Sequence, residues 1–360
     1  MRSIIFRFDD CGKKIIYNLK ITIRKNFPKK FQMKIIVTVV FCLIVFCLST
    51  DAQNAVISAP KNYRAAELEN SPELQTLLSR AVGELLNSYP PRGFKADDIS
   101  ATLIDLRDAN NLRQANFRGD VQIYPASVVK MFYMAALERQ LEDGKIKSSA
   151  ELERGLKDMI VDSSNEATQY ILDVITGTSS GGEMSAKEFE KWSYKRNTVN
   201  RFYSSLGYER INVNQKTHCE DAYGREQQFR NYKSENRNML TTNATARLLA
   251  EIVSGKLAAP ERTKRMMDLM KRNPFAETKD PDNQASGFTG KALIDKKMTD
   301  ARLWSKAGWT SRSRHDAAYL ETADGLKFVL VIFTENHATE RAPIPTIAGK
   351  IIDGLKEIKN

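Results

Sequence analysis

Strand-forming segments stand at both ends of this 360-residue sequence, and a long helix-forming stretch separates them. Alternating apolar residues bounded by turn residues mark the strand segments, which are 99–106, 112–117, 303–307, 315–321 and 326–334. Residues 150–258 are mainly helical in pattern, with breaks at 176–182 and 212–238, and a last helix is predicted at 344–358. We therefore predict an α/β fold of the α+β sandwich type. It has one antiparallel sheet formed from both chain ends, flanking helices, and an all-helical subdomain at about 127–300.

Residues 1–52 have the composition of a targeting segment rather than of a folded domain. Met33-Lys34 precedes a 14-residue apolar run, Ile35–Leu48, which is short for a membrane span, and small residues follow it as at a signal peptidase site. We predict a signal peptide over 1–52, a linker over 53–73 and a single domain over 74–360. Two alternatives stay open, namely a true start near Met33 and an N-terminal anchor that is not cleaved.

The positive charge of the chain is concentrated in this first segment. Of the formal net charge of +11, residues 1–52 carry +7, from ten Lys or Arg against three Asp or Glu, which leaves +4 for the rest. A mildly basic domain without a Lys/Arg cluster among aromatic residues is not typical of nucleic-acid binding. We expect no nucleic-acid partner, and no membrane contact beyond the signal segment.

Cysteine and histidine are too sparse to cross-link the domain or to hold a metal. Cys219 is the one cysteine after the first 52 residues, so the domain cannot form an internal disulfide. His218, His315 and His337 show no metal-ligand spacing, and we expect each at the surface or in support of a site. We predict neither a metal nor a cofactor.

The sequence around Ser127 has the pattern of a nucleophile at the start of a helix. Pro125 favours an extended residue before it, and helical periodicity begins at Ser127, so Ser127 and Lys130 share one face of the first turn. Backbone N–H groups at a helix start favour an attacking alkoxide, and Lys130 can act as its base if burial and a nearby positive charge lower its pKa. The alternative is a plain helix cap. A second Ser-x-x-Lys string, Ser58 to Lys61, lacks the periodicity and is interpreted as a loop.

Two further short strings stand in settings that suit the same chemistry. Ser163 and Asn165 lie in a polar turn before a helix, and Lys306 precedes Gly308 on a predicted strand, where a glycine permits close backbone approach. If they face the nucleophile, Ser163 can relay a proton to a leaving nitrogen, and Asn165 can orient Lys130 and a substrate amide. Lys306 can lower the pKa of Lys130 and attract an anionic substrate. The alternatives are a simple helix cap and a strand lysine that points to water.

The order of Ser-x-x-Lys, Ser-x-Asn and Lys-x-Gly resembles the penicillin-recognising serine hydrolases, and most of all the class A β-lactamase catalytic domain. The resemblance extends from about Leu74 to Leu355. Further matches are Leu240-Thr241-Thr242 at a helix start and Arg314-His315-Asp316 at a strand start. The implied architecture is the β-lactamase/transpeptidase fold, with the catalytic domain at 74–360.

The resemblance implies that a β-lactam carbonyl acylates Ser127. The oxyanion is expected to lie between the backbone N–H groups of Ser127 and Trp309, and Gly308, which precedes Trp309, is expected to contact substrate. Arg314 is expected to help hold the substrate carboxylate.

Release of the product implies a glutamate that activates water in the loop before the helix at Thr241. Counting back from Thr241 gives Glu226, and Glu220 is the alternative. The family has a leucine-asparagine pair after this glutamate, whereas Phe229-Arg230 stands here. The competing interpretation of Glu226 is a salt bridge to Arg225 or Arg230.

Other departures from the family pattern carry chemical consequences. Ser164 stands where the family has an aspartate, which removes a buried carboxylate that braces the turn. Ala307 stands where the family has a hydroxyl residue, so one hydrogen bond to the substrate carboxylate is missing, about 1 to 3 kcal/mol if it is buried. The gap from Ser127 to Ser163 is shorter than in the family, and the gap from Ser163 to Lys306 is longer. These differences suggest slow or selective turnover.

The implied function is a serine hydrolase that opens the β-lactam ring, a β-lactamase acting in antibiotic resistance or β-lactam breakdown. The first alternative is a D-Ala-D-Ala carboxypeptidase or penicillin-binding protein that acts on peptidoglycan stem peptides. The second is a non-catalytic periplasmic sensor. The resemblance also implies a bacterial protein that is periplasmic or secreted and is a monomer.

Overall fold

The computed structural model describes residues 4–10, 13–19, 56–88, 93–233 and 235–358. The chain forms two compact units, Met1–Gln53 and Asn54–Asn360. In the first unit, β1 (Ile4–Asp10) pairs with β2 (Lys13–Leu19) in antiparallel register. The apolar run and the cleavage site predicted for the leader lie outside the described residues, so the signal peptide remains a prediction. Within the described ranges, no helix is both long and apolar enough to cross a membrane.

A seven-stranded sheet runs through the second unit. Its strands are β3 (Leu68–Asn70), β4 (Ile99–Asp105), β5 (Leu112–Phe117), β6 (Lys271–Arg272), β7 (Arg302–Trp309), β8 (Ser313–Glu321) and β9 (Lys327–Glu335). Their spatial order is β3-β5-β4-β9-β8-β7-β6, and neighbouring strands are antiparallel except β3 with β5. The pairing of β4 with β9 joins the two chain ends. The predicted antiparallel sheet from both ends is therefore confirmed.

Eleven α-helices are found in the described part of the second unit. They are α1 (Pro72–Ser88), α2 (Lys130–Glu142), α3 (Ala150–Lys157), α4 (Asn165–Thr176), α5 (Ala186–Arg196), α6 (Thr198–Ser205), α7 (Arg225–Arg230), α8 (Thr242–Val253), α9 (Pro260–Met270), α10 (Thr289–Asp295) and α11 (Pro343–Glu357). Helices α2 to α9 follow one another between β5 and β6. Helix α7 falls in the predicted break 212–238, because six residues are too few to show a helical period.

Each face of the sheet packs against its own apolar core. On one face, α1 and α11 pack against alternate residues of β9 such as Phe328 and Leu330. On the other face, α2 and α8 pack against the intervening residues, such as Val331 and Phe333. A strand covered on both faces carries apolar residues without alternation, which explains the continuous apolar sequence of β9.

Helix α2 is enclosed by the rest of the domain. Every residue from Lys130 to Leu141 is buried. The polar members of the helix have partners, because Glu138 pairs with Arg262 and Arg139 pairs with Asp143. A helix without an exposed face cannot rotate or slide independently, so its first residue is held at a fixed place.

His315 of β8 ties the sheet to the segment that precedes Ser127. Its Nδ1 accepts a hydrogen bond from the backbone N–H of Thr334 at 3.1 Å, which places the ring proton on Nε2. Nε2 then donates to the carbonyl oxygen of Tyr124 at 2.9 Å. Burial lowers the pKa of His315 to about 4. The neutral imidazole therefore acts as a structural clamp.

We expect the titration of His315 to lower the free energy of unfolding by about 2 kcal/mol between pH 7 and pH 5. Below the ordinary histidine pKa of 6.5 the unfolded chain takes up a proton here, whereas the folded chain does not until about pH 4. Stability is therefore lost as the pH falls through this window. Urea denaturation at both pH values measures the effect in the wild type and in His315→Gln, which cannot titrate and should show the smaller loss.

The control variant is Ser79→Ala, which removes an exposed hydroxyl of α1 and no titratable group. It should keep the pH dependence of the wild type. If His315→Gln and the wild type lose the same free energy between the two pH values, the clamp does not titrate as described.

Candidate active site

Ser127 lies on a short turn that precedes α2. Residues Ala126–Val129 form one 3-10 turn, so the α-helix predicted from Ser127 begins three residues later, at Lys130. Ala126 has a φ of +46°, a left-handed value that is strained for a residue with a Cβ and that interrupts regular helix. Within the described chain, the amide N–H of Ser127 donates to no other group, which leaves it available to a developing oxyanion.

Gly308 of β7 lies against this turn. A Cβ on Gly308 would stand 2.7 Å from the backbone nitrogen of Ser127 and 2.9 Å from the carbonyl oxygen of Pro125. Any side chain there would push β7 away from Ser127, so the close approach requires glycine. Trp309 follows as the last residue of β7, and its ring is 41% exposed beside Phe288. The role of its N–H in the oxyanion hole remains a prediction.

The ammonium group of Lys130 is buried against the predicted middle string. It donates to the carbonyl oxygen of Ser163 at 2.5 Å, to Ser163 Oγ at 3.3 Å and to Asn165 Oδ1 at 3.0 Å. Burial lowers the pKa of Lys130 from 10.5 to about 7, against the opposing charges of Glu166 and Cys219. Near neutral pH a large fraction of Lys130 is therefore uncharged, which a general base requires.

Ser127 and Lys130 stand one turn apart, as the spacing predicts. No hydrogen bond joins their side chains within the described chain, because the three acceptors around the Lys130 ammonium come from Ser163 and Asn165. Catalytic hydrogen bonds are commonly long before substrate binds and tighten in the complex. The uncharged amine has a free lone pair, which can receive the Ser127 proton.

Ser163 stands at a break between two helical segments. A π-helical turn, Asp158–Asp162, ends there, and Ser163 has a left-handed φ of +59°. Ser164 then caps α4, since its hydroxyl accepts from the N–H of Ala167 at 3.1 Å. The string therefore serves both as a helix cap, through Ser164, and as a hydroxyl presented to two lysines, through Ser163.

Lys306 of β7 meets the same serine from the opposite side. Its Nζ donates to Ser163 Oγ at 2.9 Å, to the carbonyl oxygen of Ala307 at 2.8 Å and to Gln284 Oε1. Burial, reinforced by the charge of Lys130, holds the pKa of Lys306 well below its usual value. For Lys130 itself, burial is the main cause of the lowered pKa. The structure therefore brings the three motif strings together, and Lys306 does not point to water.

Gln284 belongs to this group, although the sequence did not indicate it. Its Oε1 accepts from Lys306, and its Nε2 donates to the carbonyl oxygen of Val161 at 2.9 Å. The amide thereby links β7 to the turn that carries Ser163. A single glutamine in a polar loop has no periodicity or motif that would mark it.

Cys219 is the residue of the 212–238 segment that contacts the middle string. Asn165 receives a hydrogen bond from Lys130 on Oδ1 and donates from Nδ2 to the Cys219 sulfur at 3.4 Å. Cys219 is a free, exposed thiol. Glu220, the alternative water-activating residue, is its exposed neighbour in the chain. Its catalytic role remains a prediction.

Glu226 is held in a buried ion cluster. Its carboxylate accepts from Arg196 at 2.9 and 3.0 Å and from Ser180 Oγ at 2.9 Å, and it lies 3.4 Å from Lys216 Nζ. Arg196 and Lys216 also pair with Asp173. Within the described chain the Glu226 carboxylate makes no hydrogen bond or ion pair with Ser127, Lys130 or Lys306. The salt-bridge interpretation agrees with this placement, although the partners are distant in sequence rather than neighbouring arginines.

Arg314 of β8 is also engaged. Its guanidinium donates to Asp282 Oδ1 at 2.7 Å and to the carbonyl oxygen of Gly287 at 2.8 Å, and it stacks on the ring of Phe288. The Arg314 side chain is only 2% exposed. In the sheet register it lies opposite Trp309, near the end of β7 where the resemblance expects it. The guanidinium of Arg314 is already paired with the Asp282 carboxylate, so a contact between Arg314 and substrate remains a prediction.

This arrangement suits acyl transfer by a serine. It provides a hydroxyl on a strained turn, a free backbone N–H beside it, an amine whose pKa is near 7, and a second hydroxyl between two lysines. Among the described residues, no cluster of three or more His, Cys, Asp or Glu side chains is arranged to hold a metal ion.

Several solved structures share this fold. The β-lactamase from Sphaerobacter thermophilus DSM 20745 is 18% identical, with 79% of this chain and 99% of that chain covered and a TM-score of 0.55. PBP-A is 15% identical, with 82% and 100% covered and a TM-score of 0.55. A class A β-lactamase from Bacteroides cellulosilyticus DSM 14838 is 15% identical, with 79% and 99% covered and a TM-score of 0.54. At these identities the likeness concerns the fold.

No curated protein matches the sequence significantly. The sequence of residues 78–355 matches the β-lactamase enzyme family, which spans well over half of the chain. The predicted class A β-lactamase-like resemblance and the β-lactamase/transpeptidase fold are thus confirmed. The chain belongs to the β-lactamase enzyme family.

Proposed function

We propose that this protein opens β-lactam rings through a covalent acyl-enzyme on Ser127 and releases the product slowly. The observation that carries the proposal is the buried ammonium group of Lys130, one turn after Ser127. Its pKa is near 7, and it donates hydrogen bonds to Ser163 and Asn165. The leader at 1–52 supports export to the periplasm or secretion, where such substrates are met.

In the proposed acylation, Ser127 Oγ attacks the lactam carbonyl carbon while uncharged Lys130 accepts the hydroxyl proton. The N–H of Ser127 stabilises the oxyanion that forms. The ring carbon–nitrogen bond then breaks. The leaving nitrogen takes a proton from the Ser163 hydroxyl, which regains one from the lysines that contact it.

The slow release that we propose follows from the surroundings of Glu226. A water-activating carboxylate must lie within reach of the acyl-enzyme. The Glu226 carboxylate is held instead by Arg196 and Ser180, and in the described part of the chain it makes no hydrogen bond or ion pair with Ser127 or Lys130. The loop residue that contacts Asn165 is a thiol instead.

The same observation favours a second candidate function, a carboxypeptidase that acts on the D-Ala-D-Ala end of peptidoglycan stems. Such an enzyme shares the acylation step and does not depend on fast hydrolysis of a β-lactam adduct. PBP-A has a similar fold, and a point mutant of PBP-A forms an acyl-enzyme complex with penicillin G.

We expect the full chain to gain the mass of one nitrocefin molecule, and Ser127→Ala to gain none, because the alanine lacks the attacking oxygen. Intact-mass measurement detects the adduct, and colour change reports hydrolysis. Ser58→Ala, in the second Ser-x-x-Lys string, is the matched control and should be labelled like the wild type.

The time course separates the candidates. A labelled protein that slowly regains its free mass as colour develops supports the proposal. A permanent adduct, combined with cleavage of a D-Ala-D-Ala peptide, supports the carboxypeptidase. A wild type that gains no mass from nitrocefin or from benzylpenicillin methyl ester, and hydrolyses neither, is not an enzyme of this kind and matches the sensor alternative.

We expect the second-order rate constant of acylation to rise with pH and to level off above an apparent pKa of about 7, because Lys130 accepts the serine proton only when uncharged. Acylation by nitrocefin measured between pH 5 and pH 9 gives the profile. Lys61→Ala, from the loop string, is the control and should leave it unchanged. A rate constant that still rises tenfold per pH unit up to pH 9 would contradict the lowered pKa of Lys130 as the group that controls acylation.

We expect Glu226→Gln to lower the free energy of unfolding by about 3 kcal/mol or more, because Arg196 and Lys216 lose a buried partner. The adduct lifetime should change by less than about threefold. Glu235→Gln, which breaks an exposed pair with Arg237, is the control and should change neither quantity appreciably. A lifetime about 100-fold longer in Glu226→Gln would identify this residue as the water-activating base.

A further inference from the structure

The loop of residues 273–288, between β6 and α10, folds tightly on itself. The N–H of Asp282 donates to Asp280 Oδ1 at 2.9 Å, and the N–H of Ala285 donates to Asn283 Oδ1 at 2.9 Å. A Cβ on Gly287 would stand 2.5 Å from the Pro281 carbonyl oxygen, so the loop closes back on its own backbone. The fold of the loop fixes the places of Asp282 and Gln284, which point to two cations of the site.

Gln284 completes the hydrogen bonding of Lys306. An ammonium group has three protons to donate, and those of Lys306 go to Ser163 Oγ, the Ala307 carbonyl oxygen and Gln284 Oε1. The Lys306 side chain is fully buried. A substrate carboxylate can therefore reach this ammonium only by displacing the amide oxygen of Gln284, which is also held through its Nε2 by Val161.

Asp282 forms an ion pair with Arg314, the second cation near the site. Its Oδ1 accepts from Arg314 at 2.7 Å, and both its oxygens accept from Arg341 at 2.8 and 2.9 Å. These hydrogen bonds, first that of Arg341, lower the pKa of Asp282 to about 2, so the carboxylate stays charged at neutral pH. A substrate carboxylate that approached Arg314 would be repelled by the negative charge of Asp282.

Ala307 cannot supply the third contact that is expected with a substrate carboxylate. The family pattern has a hydroxyl residue here that binds the substrate carboxylate, and the Ala307 side chain is a fully buried methyl group. Three groups are expected to recognise that carboxylate, namely Lys306, Arg314 and the residue at 307. Each is either bound internally or absent.

We infer that this site takes an acyl donor that is uncharged at the end facing Lys306, an amide or an ester in place of the carboxylate. The inference rests on the proposed function, because it specifies the substrate class of the same site. A neutral group needs no free cation and is not repelled by Asp282. Gln284 is then the residue that determines specificity, since its amide oxygen holds the place on Lys306 that an anion would take.

The test compares benzylpenicillin with its methyl ester as acylating agents of the full chain, followed by intact mass. In the wild type the ester should react at least as fast as the acid. Gln284→Ala should raise the second-order rate constant for the acid about tenfold and change that for the ester by less than about threefold, because the lysine is freed. Gln284→Glu should slow the acid about tenfold relative to the ester, because it adds a like charge.

The matched control is Asn283→Ala, which alters a loop residue whose side chain accepts hydrogen bonds from Ala285 and Ser286 of the same loop. It should leave the acid-to-ester ratio within about twofold of the wild type. A wild type that reacts about tenfold faster with the acid than with the ester overturns the inference but leaves the proposed function standing. If neither compound labels Ser127, the proposed function is wrong and the inference falls with it.

Discussion

Burial of the Lys130 ammonium is the constraint on which the rest of the site depends. A buried lysine is tolerated only with acceptors around it, and Ser163 and Asn165 supply these from the break between two helical segments. The same burial brings its pKa near neutrality, which makes the residue useful as a base. Ser163 is in turn held by Lys306, and Lys306 by Gln284, so one buried charge requires contributions from α2, β7 and two connecting segments.

The two long segments beside the site satisfy buried cations instead of leaving them to a ligand. In residues 212–238, Glu226 neutralises Arg196 of α5. In the 273–288 loop, Asp282 neutralises Arg314 of β8. Internal neutralisation stabilises the folded chain, because an unpaired buried charge would be costly. Under the substrate preference that we propose, the same internal pairing keeps a ligand carboxylate away from Arg314.

The sheet, the helical middle and the motif residues could be predicted from the sequence because each is encoded locally. Apolar periodicity marks the strands, and the spacing of Ser127 and Lys130 marks one turn. The residues that pair with the buried cations could not be predicted. Gln284 and Glu226 lie 22 and 30 positions from the charges that they meet, on segments whose path has no repeating pattern. The exact helix start was missed because the left-handed Ala126 has no sequence signature.

The enclosure of α2 divides the domain into parts that tolerate substitution differently. A substitution from Lys130 to Leu141 disturbs packing on every side, so selection for stability restricts this helix. Exposed positions of the 212–238 segment and of the 273–288 loop, such as Tyr223 and Phe275, can accept new side chains with smaller penalties. Replacing exposed loop residues around the candidate active site can therefore change what binds there without rebuilding the scaffold that carries the buried lysines.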